Sequence, residues 1–301
     1  MATTIVMGHP TSLQSLMPKL RDYYTLTKPE VNLLILMTTS AGYYLGSRGP
    51  LRIGSLIHTL VGTLLVASGT ATLNQWMERV WDGRMRRTAN RPLPSGRLNP
   101  REAFLFGLLL SLAGGVYLAI AVNALSALLA MSTLISYLLV YTPLKRKTPL
   151  CTLLGAFPGA MPTLIGWAGA SASIERQAWF LFVILFLWQF PHFLAIALMY
   201  RDDYARAGYR MLPGFDRDSR FTRAEIFVFT AMLVVTTALP VIGRGGPLYL
   251  LAMALAGSFL LYHVVRLTRS ASTVLASRVV HASVLYLPVV LGLMIAYKAG
   301  A

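Results

Sequence analysis

Asn74, Glu78 and Asp82 recur at every fourth position, so on a helix they fall within an arc of about 80°. One amide and two carboxylates on one face make an oxygen-ligand set suited to a hard dication such as Mg²⁺. Arg84, Arg86, Arg87 and Arg91 follow at once. Oxygen ligands beside guanidinium forks are what a diphosphate needs, with metal on some oxygens and arginines on others. The same spacing also suits a helix end whose acids merely offset a basic loop, and spacing alone leaves both readings open.

Three further polar elements carry chemistry. Asp202 and Asp203 open the stretch R-D-D-Y-A-R-A-G-Y-R-M-L-P, four apolar segments after the first acidic group. Lys145, Arg146 and Lys147 sit between Thr142-Pro143 and Thr148-Pro149. Those prolines fix the loop's course, and a shaped basic loop suits phosphate better than a floppy one. Along F-L-W-Q-F-P-H-F-L-A-I-A-L-M-Y, a continuous helix would bring Trp188, His192, Met199 and Asp203 within about 60° of one another, with Pro191 loosening the ladder. That stripe either lines a cavity or packs a polar residue between helices.

The elements that must position these groups are membrane spans. Of 301 residues, 55% are hydrophobic, and the apolar residues come in runs near 20 long. Nine spans are expected, near 30–47, 53–74, 102–122, 124–142, 150–170, 177–200, 222–242, 247–266 and 280–298. Of 27 Lys and Arg, 22 fall at the N-terminus and after spans two, four, six and eight. That asymmetry puts residues 1–28 and both long loops in the cytoplasm, the C-terminus outside, and both acidic clusters on the cytoplasmic side. The net charge of +16 is explained by the same rule, without nucleic acid. A lone Cys151 excludes an internal disulfide. The first 28 residues lack the form of a signal peptide, which makes a bacterial plasma (inner) membrane the plain expectation.

From Thr27-Lys28-Pro29 to the last spans the chain resembles the UbiA-type intramembrane prenyltransferases, and within them the branch that acts on heme. The wider family carries N-x-x-x-D-x-x-x-D; here the motif is Asn74-x-x-x-Glu78-x-x-x-Asp82, with the Glu characteristic of that branch. Further matches are M-R-R-T-A-N-R-P-L-P-S-G (85–96), Y-T-P-L-K-R-K-T-P (141–149), G-A-M-P-T-L-I-G-W (159–167), W-Q-F-P-H-F (188–193) and D-Y-A-R-A-G-Y-R-M-L-P (203–213). The family's second motif, D-x-x-x-D, has Met199 at its first position here, leaving Asp203 with Asp202 beside it.

The resemblance implies an all-α bundle of nine transmembrane helices around a central cavity, forming one domain over 1–301. Its similar halves cover about 29–142 and 150–266, and a ninth helix covers 280–298. It implies transfer of farnesyl from farnesyl diphosphate to a vinyl group of heme b, so that heme is a substrate and not a prosthetic group. Mg²⁺ would sit on Asn74, Glu78, Asp82 and Asp203, with Arg86, Arg91, Lys145 and Arg146 on the diphosphate. Trp188 and Tyr200 would shield the farnesyl cation, and His192 would contact heme or relay a proton. Membrane lipid surrounds such a protein, and a heme A synthase or terminal oxidase would receive the product. A relative prenylating 4-hydroxybenzoate would share the diphosphate site, but Glu78 and W-Q-F-P-H-F argue against it. A transporter of an anionic metabolite would be expected to show broken helices at the membrane midplane, whereas the charge here sits at one face.

Overall fold

The computed structural model describes residues 12–239 and 245–298. The first eleven residues, the end of the expected span 222–242 and Arg244 of the charge count lie outside the described residues. Every regular element described is helical. The helices are α1 Ser12–Leu26, α2 Pro29–Gly46, α3 Ile53–Asp82, α4 Pro100–Ala121 and α5 Ala124–Leu144. Then come α6 Cys151–Ser171, α7 Arg176–Met199, the short α8 Arg201–Arg206, α9 Arg220–Ala238, α10 Pro247–Arg269 and α11 Thr273–Ala296.

Eight of these are long and apolar enough to cross a membrane, and the chain is an integral membrane protein. Of the nine expected spans the remaining one is α2, whose 18 residues include Glu30, Asn32, Thr38, Thr39 and Ser40. Its place in the bundle is set by contact with α6 rather than by hydropathy. A Cβ on Gly42 would strike the Thr163 carbonyl oxygen, and one on Gly166 would strike that of Thr39. Small residues on both helices let the backbones touch, the usual basis of helix association in lipid. Outward, α4 presents Leu105, Leu109, Leu112, Val116 and Ile120, all exposed and spaced as one helical stripe, the surface that acyl chains cover.

The largest core gathers on α7, from Ala178 to Trp188, with residues of α2, α6, α9, α10 and α11. Opposite the acidic end, Lys298 donates to the Tyr44 and Ser47 carbonyls at 2.6 and 2.7 Å, tying the last helix to the end of α2.

Three local features position the polar end. At 30 residues, α3 is about 45 Å long, well beyond a hydrocarbon core of about 30 Å. Its last turns, carrying Asn74, Glu78 and Asp82, therefore project past the apolar layer. In α5 the turn Ser136–Tyr141 is a π-helix, with the Thr142 amide reaching back to the Tyr137 carbonyl. Pro143 explains it: in an α register its ring would strike the Leu139 carbonyl, and the wider turn relieves the clash. At Tyr200 the backbone leaves the helical region (φ −112°, ψ 27°), so α7 stops and α8 starts in a new direction. The continuous stripe expected from Trp188 to Asp203 is therefore broken: Asp203 stands on α8.

The N-terminal segment is more than a tail. Its helix α1 docks on the polar end through Leu26, Leu93, Leu98 and Ala103. Asp22 accepts from Arg97 at 3.0 Å and Glu102 accepts from Tyr23 at 2.8 Å.

Candidate active site

At the polar end the extension of α3 meets the loop after α5 and the turn between α1 and α2. Asn74, Glu78 and Asp82 are 1%, 5% and 2% exposed, so their polar groups must find partners inside the protein. Each does. Lys145 Nζ donates to both Glu78 oxygens, at 2.9 and 3.2 Å. The Asn74 amide nitrogen donates to Glu78 at 3.0 Å and to the Thr142 hydroxyl at 3.1 Å, while its oxygen accepts from Lys28 Nζ at 3.1 Å. Arg91 donates to Asp82 at 2.8 Å.

Lys28 was not singled out by its type or spacing, yet it is one of the two ammonium groups in the centre. It is a non-glycine residue in the left-handed region (φ 52°, ψ 65°), immediately before Pro29. That backbone is sparsely populated and persists only where its surroundings hold it. Burial, then the charges of Arg91 and Lys145, pull the Lys28 ammonium down to about 7, against the pull of Glu78 and Asp82. Lys145 moves the other way: burial alone would lower it, but Glu78, Tyr141 and Tyr137 hold it well above the ordinary lysine value.

The loops close over this centre. The Arg210 amide donates to the Lys145 carbonyl at 2.8 Å, and Met85, Ala207 and Tyr209 pack as one apolar plug with Trp81, Tyr204 and Met211. The Tyr209 phenol is buried beside Glu78 with no hydrogen-bond partner among the described residues, and burial followed by the Glu78 charge pushes its ionisation up. Thr142 and Tyr209 both lie in stretches that carry the family's motifs, but only the folded loops reveal that they meet Asn74 and Glu78.

The other expected site residues divide. Arg146 stacks on Trp81, 4.1 Å from the ring centre, at the outer rim. Asp203 is held by Arg206 and by the Arg87 amide at 3.3 Å, on the far side of the loop after α3. Among the described residues no three of His, Cys, Asp and Glu converge as a metal-holding group, and within the expected four-residue set Asp203 has its own partners in Arg206 and the Arg87 amide. Its donor chemistry still fits Mg²⁺. Asn74, Glu78, Asp82 and Asp203 each turn an oxygen toward a positively charged group, the contact a hard dication takes.

Arg86 is not with the Glu78 group. It lines a cavity near the end of α7 together with Tyr200, whose ring is already covered by the Arg87 guanidinium at 4.6 Å. Trp188 is enclosed between helices. Its indole is 2% exposed, donates to the Ser283 carbonyl at 2.7 Å and stacks on His192 at 4.7 Å. The His192 ring bonds the Ser283 hydroxyl at 2.9 Å. Both side chains lock α7 to α11, which leaves the Trp188 indole enclosed, whereas Tyr200 is half-buried and lines the cavity with Arg87 over its ring.

Comparison with known proteins agrees with this architecture. A protein from Solibacter usitatus (strain Ellin6076) named protoheme IX farnesyltransferase is 48% identical over 291 residues, covering 93% of this chain and all of that one. Among solved structures, a digeranylgeranylglyceryl phosphate synthase superposes with a TM-score of 0.74 at 18% identity, covering 93% of this chain and 98% of the other. A UbiA homolog from Archaeoglobus fulgidus bound to GPP and Mg²⁺ gives 0.61 at 16%, covering 91% and 99%. The profile of the UbiA prenyltransferase family matches residues 35–296, and with that span and that relative the chain belongs to the UbiA prenyltransferase family.

Proposed function

We propose that this chain transfers the farnesyl group of farnesyl diphosphate to a vinyl group of heme b, giving heme O and diphosphate. The observation that carries the diphosphate half is the buried set of oxygens at Asn74, Glu78 and Asp82, each facing Lys28, Lys145 or Arg91. The acceptor rests on the relative of similar length named for heme farnesylation.

Mg²⁺ on Asn74, Glu78 and Asp82, with Asp203 brought in from α8, would neutralise diphosphate charge and improve the leaving group. Carboxylates engaged in that way release their own cations. Lys28, Lys145 and Arg91 are then placed to hold the oxygens on which the leaving electron pair settles, with Arg146 at the rim. The allylic C–O bond breaks to an allylic cation, and the terminal vinyl carbon of heme captures it. The cation left beside the porphyrin takes water and loses a proton, which accounts for the added hydroxyl. The plug of Met85, Ala207 and Tyr209 keeps water from the diphosphate end until capture.

Two further readings belong with this one. The Lys- and Arg-rich end faces the cytoplasm of a bacterial inner membrane, with residues 29–142 and 150–266 as similar halves of one domain, α2 as the first of nine crossings and 280–298 as the last. The product passes to a heme A synthase or a terminal oxidase.

The test is direct. Membranes containing the chain receive heme b, farnesyl diphosphate and Mg²⁺, and extracted hemes are analysed by mass spectrometry. A heme carrying a hydroxyethylfarnesyl group supports the reading. Unchanged heme alongside prenylated 4-hydroxybenzoate overturns the acceptor and keeps the diphosphate site.

A further inference from the structure

A cavity of about 690 Å³ opens at the polar end between the loop after α3, the end of α7, α8 and the start of α11. None of Lys28, Glu78 and Lys145 lines it; Asp203, which does, pairs with Arg206 and the Arg87 amide. Its volume is that of a small-molecule site. Arg86, Arg87, Arg201 and Arg206 line it, with Asp202 and Asp203. Four guanidinium groups against two carboxylates leave the lining with two positive charges.

These arginines are not equally committed. Arg206 is taken by Asp203. Arg87 lies over Tyr200 and donates to the Tyr204 hydroxyl at 3.2 Å. Arg201 gives one bond to the Arg217 carbonyl at 3.2 Å. Arg86 makes no side-chain hydrogen bond or ion pair among the described residues. The first residue of α11, Thr273, also lines the space, which adds the positive end of a 24-residue helix to the wall. Leu198, Met199 and Tyr200 at the end of α7 supply the apolar part of the wall. The lining is thus part cationic and part apolar, a combination suited to an apolar body that carries anionic groups.

Resting on the reading that heme b is the acceptor, we propose that this cavity is the acceptor subsite and that Arg86 and Arg201 hold the two heme propionates. The tetrapyrrole carries its propionates on one edge and its vinyl groups on the opposite edge. Anchoring the carboxylates on the arginines leaves the opposite, vinyl edge as the one that meets the allylic cation. Arg86 is therefore an acceptor residue and not a diphosphate one. Fixing the edge also selects which vinyl group meets the allylic cation.

The test uses the full chain in lipid nanodiscs, titrated with heme b or its dimethyl ester and followed at the Soret band. Parallel rate measurements supply KM for farnesyl diphosphate. Esterification removes the charges and leaves the ring intact, and it should weaken binding to the wild type about 10-fold or more, the scale of one lost charge-assisted contact. Arg86→Gln should weaken heme b about 10-fold, leave the dimethyl ester unchanged, and leave KM for farnesyl diphosphate unchanged. Arg86 is exposed and makes no ion pair among the described residues, so the variant should fold; Arg86→Lys should recover part of the affinity.

Equal binding of heme b and its ester by the wild type would overturn the assignment. So would an Arg86→Gln effect that appears in KM for farnesyl diphosphate instead. If the Arg86→Gln effect vanishes only in nanodiscs rich in anionic lipid, or if inorganic diphosphate competes with heme b there, the arginines hold phosphate and the proposal fails. The two readings separate cleanly. Discriminating heme binding without farnesylated product keeps the cavity and removes the proposed reaction; product formation indifferent to esterification does the reverse.

Discussion

Replacing Glu78 with glutamine removes a buried charge while keeping the shape, and the surroundings set the size of the effect. The Glu78 and Lys145 side chains are 7% and 12% exposed, with Nζ 2.9 Å from Oε1, so water screens them little. Breaking a buried pair from one side costs about 3–5 kcal/mol, because the remaining charge is left uncompensated. The glutamine would still accept one hydrogen bond from the ammonium, worth about 1.5 kcal/mol, which leaves a loss of about 1.5–3.5 kcal/mol. Lys145→Met should cost a similar amount, since it strands the carboxylate with only Asn74 and the more distant Lys28 charge. In Glu78→Gln/Lys145→Met neither charge remains, so the losses should not add, and the coupling should be about 3 kcal/mol. At about 2–4 °C per kcal/mol, each single variant should melt about 5–10 °C low, and the double variant no lower than either. Thermal unfolding in detergent reads this cycle, and heme O formation reads the chemistry. Turnover should be lost in all three, because stability can be restored without restoring the ligand or the cation. Strictly additive melting losses would show that the pair is not coupled. Turnover in Glu78→Gln above about a tenth of wild type would remove Glu78 from the ligand set.

Three other outcomes follow from the same geometry. The Lys28 ammonium is held down to about 7 against an ordinary 10.5, so between those values the unfolded chain binds the extra proton. Stability should therefore rise as pH increases through that window, and melting curves of metal-free protein should show the rise in the wild type and lose it in Lys28→Met. Trp188→Phe should lower the melting temperature by removing the bond to Ser283, yet leave the turnover of the folded fraction within about 2-fold, whereas a cation-shielding role would lower turnover far more. Chelation should stop turnover and restored Mg²⁺ should revive it, while the melting temperature moves by only about 1–2 °C, because Lys28, Lys145 and Arg91 already neutralise the oxygens; a collapse of the fold on chelation would mean a structural metal instead.

The face shared by Asn74, Glu78 and Asp82 was legible because it depends on helical spacing alone, and α3 supplies an uninterrupted helix through all three. The basic loop at Lys145 was legible for a related reason: the prolines beside it announce a shaped turn. The Trp188–Asp203 stripe failed because spacing assumes continuity, and one residue, Tyr200, leaves the helical region. Lys28 was hidden because its approach to Asn74 depends on a left-handed backbone and on the docking of α1, neither of which leaves a periodic trace. The place of α2 was visible as an apolar run, but its hold on the bundle comes from glycines fitting against α6, a match between two distant segments that no single window contains.

The π-turn at Ser136–Tyr141 acts as an indexing step for everything after it. One residue added to a helical turn rotates the following segment by about 100° about the axis. The azimuth of Lys145, and with it the aim of its ammonium at Glu78, is therefore set by that extra residue rather than by Lys145 itself. Deleting one residue from 136–141 would leave every charged group in the chain intact and point Lys145 elsewhere. Two sequences with the same motifs can thus differ in catalytic register through a count of apolar residues that carry no chemistry of their own.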